Sequence, residues 1–316
     1  MGCVTRQRTP RCGGRVRRVM RSGAFSSWAR TLAVGLVATS AFLAPAPGVA
    51  ETAPIPRVPA GVTAAGAILI DQADGSVLMG RAIYTERPMA STTKIMTAVV
   101  VLETPGLDLD ARIPVKSVYH RYAVWKDAST AHLHTGDSLT VRQLLYGLLL
   151  PSGSDAAYAL ADRFGHGSTR TARTAEFISR MNAKAAELGL SRTQFGSFDG
   201  LAPTSTNHIT PRSLARLASY ALGNEQFAAI VRTRTTSVPG WTASGGRRIY
   251  TWENTNQLLG RYWGVIGVKT GTTTPAGACL VFAITRGGRT LVGVVLHSAS
   301  GDARYRDARL ILDAAR

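Results

Sequence analysis

Cysteine, acidic residues and long apolar runs are all scarce in this 316-residue chain, and each shortage excludes a class of protein. The three cysteines are Cys3, Cys12 and Cys279. Two of them fall in an N-terminal stretch that reads as removable, so the remainder cannot close an intramolecular disulfide. Cys279 stands in Gly-Ala-Cys-Leu-Val-Phe, the setting of a buried strand thiol rather than a reactive one. Charged residues make up only 18% against 45% apolar, which supplies a core and argues against disorder. Asp and Glu together number 19 against 37 Lys and Arg, a formal net charge of +18. Eight arginines and no acid lie in residues 1–30 and no charge lies in 31–50, which leaves +10 on residues 51–316. There the cations are scattered and no nucleic-acid reader motif accompanies them, so a nucleic-acid partner is not expected. The excess either favours anionic wall polymers and membrane surfaces or reflects an arginine-biased composition.

The first fifty residues have the layout of an export signal. A basic stretch leads into the apolar run Thr31–Ala44, too short to span a bilayer comfortably, and then into Pro45-Ala-Pro-Gly-Val-Ala50, whose small residues suit signal peptidase. The competing reading is a permanent N-terminal anchor. Residues 51–62 are proline-rich and read as a linker. Residues 63–316 then form one domain, secreted or held at the cell envelope, with no stable membrane span once the signal is cut.

Within that domain, strand patterns stand at both ends and helical ones between. Ala65 to Met79 reads as two strands joined at Ala73-Asp-Gly. Thr93–Glu103 reads as a helix buried on most sides, and Leu139–Leu150 as another that stops at Pro151. Ser154-Asp155 is expected to cap the next helix. Further helices are predicted at Glu176–Leu188, Pro211–Leu222 and Asp302–Ala315. Five strands are predicted at Arg232–Val238, Arg247–Thr251, Gly264–Lys269, Ala278–Thr285 and Thr290–His297. The expectation is one sheet sandwiched by helices, an all-helical insert over roughly 105–225, and a cleft between them.

Three short motifs carry chemistry. Ser91-Thr-Thr-Lys94 sets a hydroxyl and an amine three residues apart, on one face of a helix. A serine is a weak nucleophile until a base takes its proton, and a buried amine beside other cations can lose its own proton near neutral pH. The helix start also offers the Ser91 N–H to an oxyanion. Ser152-Gly153-Ser154 follows the Pro151 break, where a serine on a turn is placed to relay a proton to a leaving amine. Lys269-Thr-Gly271 ends a predicted strand, and its glycine allows close approach at an edge. Lys269 and Thr270 suit a carboxylate, and the Thr272 N–H is a second oxyanion donor. Singly these motifs are weak. Their order, their element boundaries and the export signal make them strong together.

In these motifs the sequence resembles the serine D-alanyl-D-alanine carboxypeptidases, the low-molecular-mass penicillin-binding proteins of peptidase family S11. The resemblance extends through Arg87–Ala98, Gly136–Val141, Leu144–Gly153, Asp199-Gly-Leu201, Thr210–Ala218, Gly267–Thr273 and Arg304–Ala308. It implies an α+β, β-lactamase/transpeptidase-like fold, mainly an antiparallel five-stranded sheet between helices with a helical subdomain. It implies a Ser91 acyl-enzyme with Lys94 as base and Ser152 as proton donor. By the same resemblance, Ser154, Lys269, Thr270, Gly271 and Thr272 handle the substrate. The implied partners are peptidoglycan stem peptides, with β-lactams as covalent inhibitors and with neither cofactor nor metal.

The family's second motif usually ends in asparagine, whereas this chain has Ser154. A non-turnover β-lactam or wall-fragment binding module is therefore a live alternative. A class A β-lactamase needs an E-x-x-x-N loop, and none of Glu176, Glu187, Glu225 and Glu253 has asparagine four residues on. His132-Leu-His134 with Asp137 raises a metal hydrolase, but no supporting ligand cluster follows, and loop histidines are the simpler reading.

Overall fold

The computed structural model describes residues 54–315, so the signal expected over 1–50 lies outside the described residues. Strands β1 (Gly66–Asp71) and β2 (Val77–Arg81) form the first hairpin. A short β3 (Arg87–Pro88) leads to a 3-10 turn at Ala90–Thr93 and helix α1 (Lys94–Leu102). Then come β4 (Arg112–Pro114), α2 (Ser117–Trp125), β5 (Ser138–Thr140), α3 (Val141–Leu149), α4 (Ser154–Phe164) and α5 (Arg170–Glu187). Next are β6 (His208–Ile209), α6 (Pro211–Leu222), α7 (Glu225–Arg232), β7 (Thr235–Trp241) and β8 (Arg247–Glu253). Strands β9 (Val265–Thr273), β10 (Gly277–Arg286), β11 (Arg289–Ser298) and helix α8 (Ala303–Ala314) complete the order.

The main sheet runs β2-β1-β11-β10-β9, with every pairing antiparallel. Its strands are apolar almost without a break because both faces are covered. Successive side chains point to opposite faces, and the period-2 split is visible in the packing. Ile68, Ile70, Val281, Ala283, Val292 and Val294 face the helical side with α1, α3, α4 and α6. Ala67, Leu69, Leu280, Phe282 and Val295 face α8 through Tyr305, Ala308, Ile311 and Leu312. The first and last strands of the domain meet at β1 and β11, which leaves β9 as an edge. The α+β fold with a five-stranded antiparallel sheet is as expected.

Several expectations need correction. The segment expected to be all-helical, roughly 105–225, is not, because it contains β4 and β5, which join β7 and β8 in a second four-stranded sheet, and β6, which pairs with β3. Two strands assigned to the main sheet, β7 and β8, belong to that second sheet. Helices α2 and α7 were not foreseen. The α2 segment Ser-Val-Tyr-His-Arg-Tyr-Ala-Val-Trp is rich in aromatic and β-branched residues, has no side-chain cap, and buries only Tyr119 and Ala123. Tyr122 of α2, Tyr158 of α4 and Phe198 pack with ring centroids 5.1–5.6 Å apart, and that contact stabilises the helix. Finally, Lys269-Thr-Gly271 does not end its strand. Lys269, Thr270 and Gly271 pair with Val281, Leu280 and Cys279 in the middle of the β9–β10 ladder.

Local caps agree with the sequence where its signals are complete. Thr140 and Gln143 make a capping box for α3, and Thr210 caps α6 ahead of Pro211. At α4 the cap is Gly153, with no side-chain hydrogen bond, so Ser154 is not the cap the sequence implied.

Candidate active site

Ser91 lies in the 3-10 turn, and Lys94 opens α1 directly after it. The turn keeps the two on one side, and Lys94 Nζ donates to Ser91 Oγ at 3.0 Å. The same nitrogen donates to the Asp199 carbonyl at 2.9 Å and to Ser154 Oγ at 3.3 Å. Lys94 is completely buried. Burial depresses its pKa to about 8, and the Asp199 and Asp155 carboxylates oppose the fall only in part.

The second motif is set by the turn between α3 and α4. Ser152 adopts φ 66, a left-handed conformation uncommon for a residue with a side chain. Its Oγ is buried and has no hydrogen-bond partner among the described residues. Ser154 is buried at the first position of α4, its N–H bonded to the Ser129 carbonyl. Asp155 is the residue that fastens this corner. Its carboxylate accepts from Thr130 Oγ1, Ala131 N and Leu133 N, at 2.7, 2.8 and 3.0 Å. The loop carrying those residues also holds His132 and His134, while Asp137 accepts from Arg248 and the Tyr250 hydroxyl. Asp137 is therefore engaged in fixing β8.

The third motif faces Ser91 from β9. Lys269 is 1% exposed, and its ammonium donates to the Thr270 carbonyl at 3.0 Å. Burial, then the Lys94 and Arg304 charges, hold its pKa well below the ordinary lysine value. Thr270 Oγ1 lies 2.6 Å from Thr255 Oγ1. Gly271 is a glycine for a reason other than ligand approach. A Cβ there would stand 3.0 Å from both the Met89 carbonyl and the Ser91 nitrogen, so it is the protein's own Ser91 turn that comes close. Gly200 serves the other side of that turn, at φ +96, where a Cβ would lie 2.0 Å from the Ala90 carbonyl.

The structure thus brings Ser91, Lys94 and Ser154 into one hydrogen-bonded group, with Lys269, Thr270, Gly271 and Thr272 on the facing strand. Three residues that the motifs did not single out join them. Asp199 holds Lys94 through its carbonyl. Arg304 of α8 donates to the Gly271 and Cys279 carbonyls and to Thr272 Oγ1, at 2.9–3.2 Å. Thr255 meets Thr270. Asp199 and Arg304 lie in segments whose resemblance was apparent, and only their contacts were not. Nothing in the local sequence marks Thr255. Cys279 is fully buried in β10, and burial pushes its thiol up to about 11. Among the described residues no cluster of three His, Cys, Asp or Glu side chains could hold a metal ion. No helix among them is long and apolar enough to cross a membrane.

Comparison with known proteins gives the same neighbourhood throughout. A family profile described as D-alanyl-D-alanine carboxypeptidase, peptidase S11, matches residues 51–300. A D-alanyl-D-alanine carboxypeptidase of Streptomyces sp. strain K15 is 45% identical over 286 residues, 90% of this chain and 96% of its own. One from Mycobacterium tuberculosis is 36% identical over 249 residues, 78% of each chain. The crystal structure of the Streptomyces K15 DD-transpeptidase superposes with a TM-score of 0.79 at 49% identity. That match covers 80% of this chain and 96% of that one.

Proposed function

The chain belongs to the D-alanyl-D-alanine carboxypeptidase family, peptidase S11, and from that premise we propose that it removes the terminal D-alanine of peptidoglycan stem peptides through an acyl-enzyme on Ser91. The observation that carries this reading is the 3.0 Å contact between a completely buried Lys94 and the Ser91 hydroxyl. With a pKa of about 8, about one Lys94 in ten is a free amine at pH 7. That amine takes the Ser91 proton as Oγ attacks the carbonyl of the penultimate D-alanine. The Ser91 and Thr272 N–H groups receive the oxyanion. Ser152 relays to the departing D-alanine nitrogen the proton that Lys94 took from Ser91, which returns Lys94 to its free amine and Ser152 to its hydroxyl, and the buried Ser152 hydroxyl with no partner supports that role. Lys269 and Thr270 hold the terminal carboxylate, with Arg304 adding positive potential beside them. Water then hydrolyses the Ser91 ester.

A β-lactam presents the same features, an amide carbonyl near a carboxylate, and acylates Ser91 by the same path. Ser154 supplies a hydroxyl to Lys94 where the family usually places an asparagine amide. The reaction lies outside the cytoplasm, where peptidoglycan is, and residues 1–50 serve as the export signal. A second reading shares the acyl-enzyme. The 49%-identical solved relative is described as a DD-transpeptidase, so an amine acceptor can replace water in the second step.

The test is D-alanine release from an N-acylated Lys-D-Ala-D-Ala peptide, with Ser91→Ala alongside. We expect release and penicillin labelling to vanish together in the variant. Release that survives Ser91→Ala shows that the nucleophile is another residue. Labelling without release points to the binding module, unless added glycine or D-alanine restores turnover by transfer.

A further inference from the structure

Thr255 stands where three parts of the site meet. Its N–H donates to the Leu150 carbonyl at 3.1 Å, two residues ahead of Ser152. Its carbonyl accepts from the Tyr305 hydroxyl at 2.7 Å, next to Arg304 on α8. Its Oγ1 lies 2.6 Å from Thr270 Oγ1 and 3.3 Å from the Leu150 carbonyl. The turn that carries it is rigid. Asn254 Nδ2 donates to the Val231 and Thr233 carbonyls, Asn254 Oδ1 accepts from Asn256 N, and Asn256 Oδ1 accepts from Leu258 N. Thr255 itself is exposed while Thr270 is 7% exposed, so the pair sits at the boundary of the cleft.

Each hydroxyl has a single proton, so only one of the pair can donate across the 2.6 Å gap. If Thr270 donates, the Thr255 proton goes to Leu150 over a long 3.3 Å bond and Thr270 has nothing left for a ligand. If Thr255 donates, the Thr270 proton is free to point into the cleft. An incoming carboxylate selects the second arrangement, because a hydrogen bond to an anion outweighs the long one to Leu150. The chain Thr255 to Thr270 to carboxylate then polarises in one direction. We propose that Thr255 is a positioning residue whose hydroxyl donates to Thr270 and so turns the Thr270 hydroxyl toward the substrate's terminal carboxylate. The inference rests on the proposed carboxylate site and extends it to a residue outside the three motifs.

The experiment compares benzylpenicillin with its methyl ester, which lacks the anion, as acylating agents of the wild type and of Thr255→Val, Thr255→Cys and Thr255→Ser. Thr255→Val is expected to slow acylation by benzylpenicillin about three- to tenfold, the worth of one hydrogen bond, and to leave the ester's rate within about twofold of wild type. Thr255→Cys, a similar shape with a weak donor, should do the same, and Thr255→Ser should restore the wild-type ratio. With acyl-D-Ala-D-Ala the loss should appear in KM rather than kcat. Equal slowing of both agents, no slowing of either, or a serine variant that behaves like valine overturns the proposal. If valine unfolds the protein, the cysteine and serine variants still decide it. A wild type that is acylated but releases no D-alanine refutes the hydrolytic reading alone, since the penicillin-to-ester ratio still reads Thr255. A wild type that penicillin does not acylate refutes both.

Discussion

Lys94 Nζ stands 3.0 Å from Ser91 Oγ and is closed off from solvent completely. Proximity and burial act on different quantities. Proximity makes proton transfer geometrically possible, whereas burial, by opposing the charged form, sets the pH at which it happens. Because the base must be neutral, acylation of Ser91 should rise with pH and reach half its plateau near pH 8, where Lys94 titrates. Lys94→Arg keeps the charge and cannot lose its proton, so it should abolish that limb and lower the rate by about 10²–10⁴. Penicillin acylation followed from pH 6 to 9.5 checks both. A flat profile for the wild type removes Lys94 from the role.

Ser154 Oγ accepts from the Lys94 ammonium at 3.3 Å and therefore stabilises the charged form. Ser154→Ala withdraws that acceptor, so the acylation limb should move to lower pH with its plateau retained to within roughly tenfold. Ser154→Asn supplies the amide usual in the family and should raise turnover of acyl-D-Ala-D-Ala or leave it unchanged. A collapse of activity in the asparagine variant would mean that the serine hydroxyl has a role of its own. The two pH profiles, measured side by side, separate a change in the base from a change in substrate positioning.

Asp155 stands directly beside that serine, yet its work is structural. Fully buried, it receives Thr130 Oγ1, Ala131 N and Leu133 N and so fixes the loop that also accepts the Ser154 N–H. Asp155→Ala takes the side-chain acceptor from three buried backbone N–H groups, those of Ala131, Leu133 and Ala156. At about 1–3 kcal/mol each, the loss is about 3 kcal/mol or more, which lowers Tm by roughly 6–12 °C in a domain of this size. Thermal unfolding followed by circular dichroism reads it. Asp155→Asn keeps an oxygen acceptor and should lose less than half as much.

How far the sequence could be read depended on whether the deciding contact was local. Ser91 and Lys94 are three residues apart, so helical geometry alone joins them, and the β-strands announce themselves by apolar runs buried on both faces. The capping box of Thr140 and Gln143 is likewise a three-residue relationship. What escaped is long-range or shaped by neighbours. Arg304 meets Gly271 across 33 residues, and Thr255 meets Thr270 through a turn with no distinctive composition. Strands β7 and β8 look like main-sheet strands because local pattern carries no information on which sheet a strand joins. Serine after a proline break commonly caps a helix, which gives Ser154 the look of a cap, whereas in the fold it is buried and meets Lys94 instead.

Gly271 shows how one such contact can be tested. Placed in the β9–β10 ladder opposite Cys279, it needs no special backbone conformation, and alanine there would be unremarkable in most sheets. The constraint comes from the facing turn. A Cβ would lie 3.0 Å from Met89 O and from Ser91 N and 3.1 Å from Thr92 N, all backbone atoms with no rotamer to yield. Either β9 or the turn must then shift by a few tenths of an ångström, and the Ser91 N–H is the proposed oxyanion donor. We expect Gly271→Ala to lower kcat for D-alanine release about 10- to 100-fold through that displacement, while the ladder bonds keep Tm within a few degrees. Gly200→Ala is the contrasting case. Its Cβ would sit 2.0 Å from the Ala90 carbonyl, at φ +96, so it should cost folding itself. Activity and melting temperature measured on both variants distinguish a displaced nucleophile from a broken fold. An active Gly271→Ala enzyme would show that the turn has more slack than this packing allows.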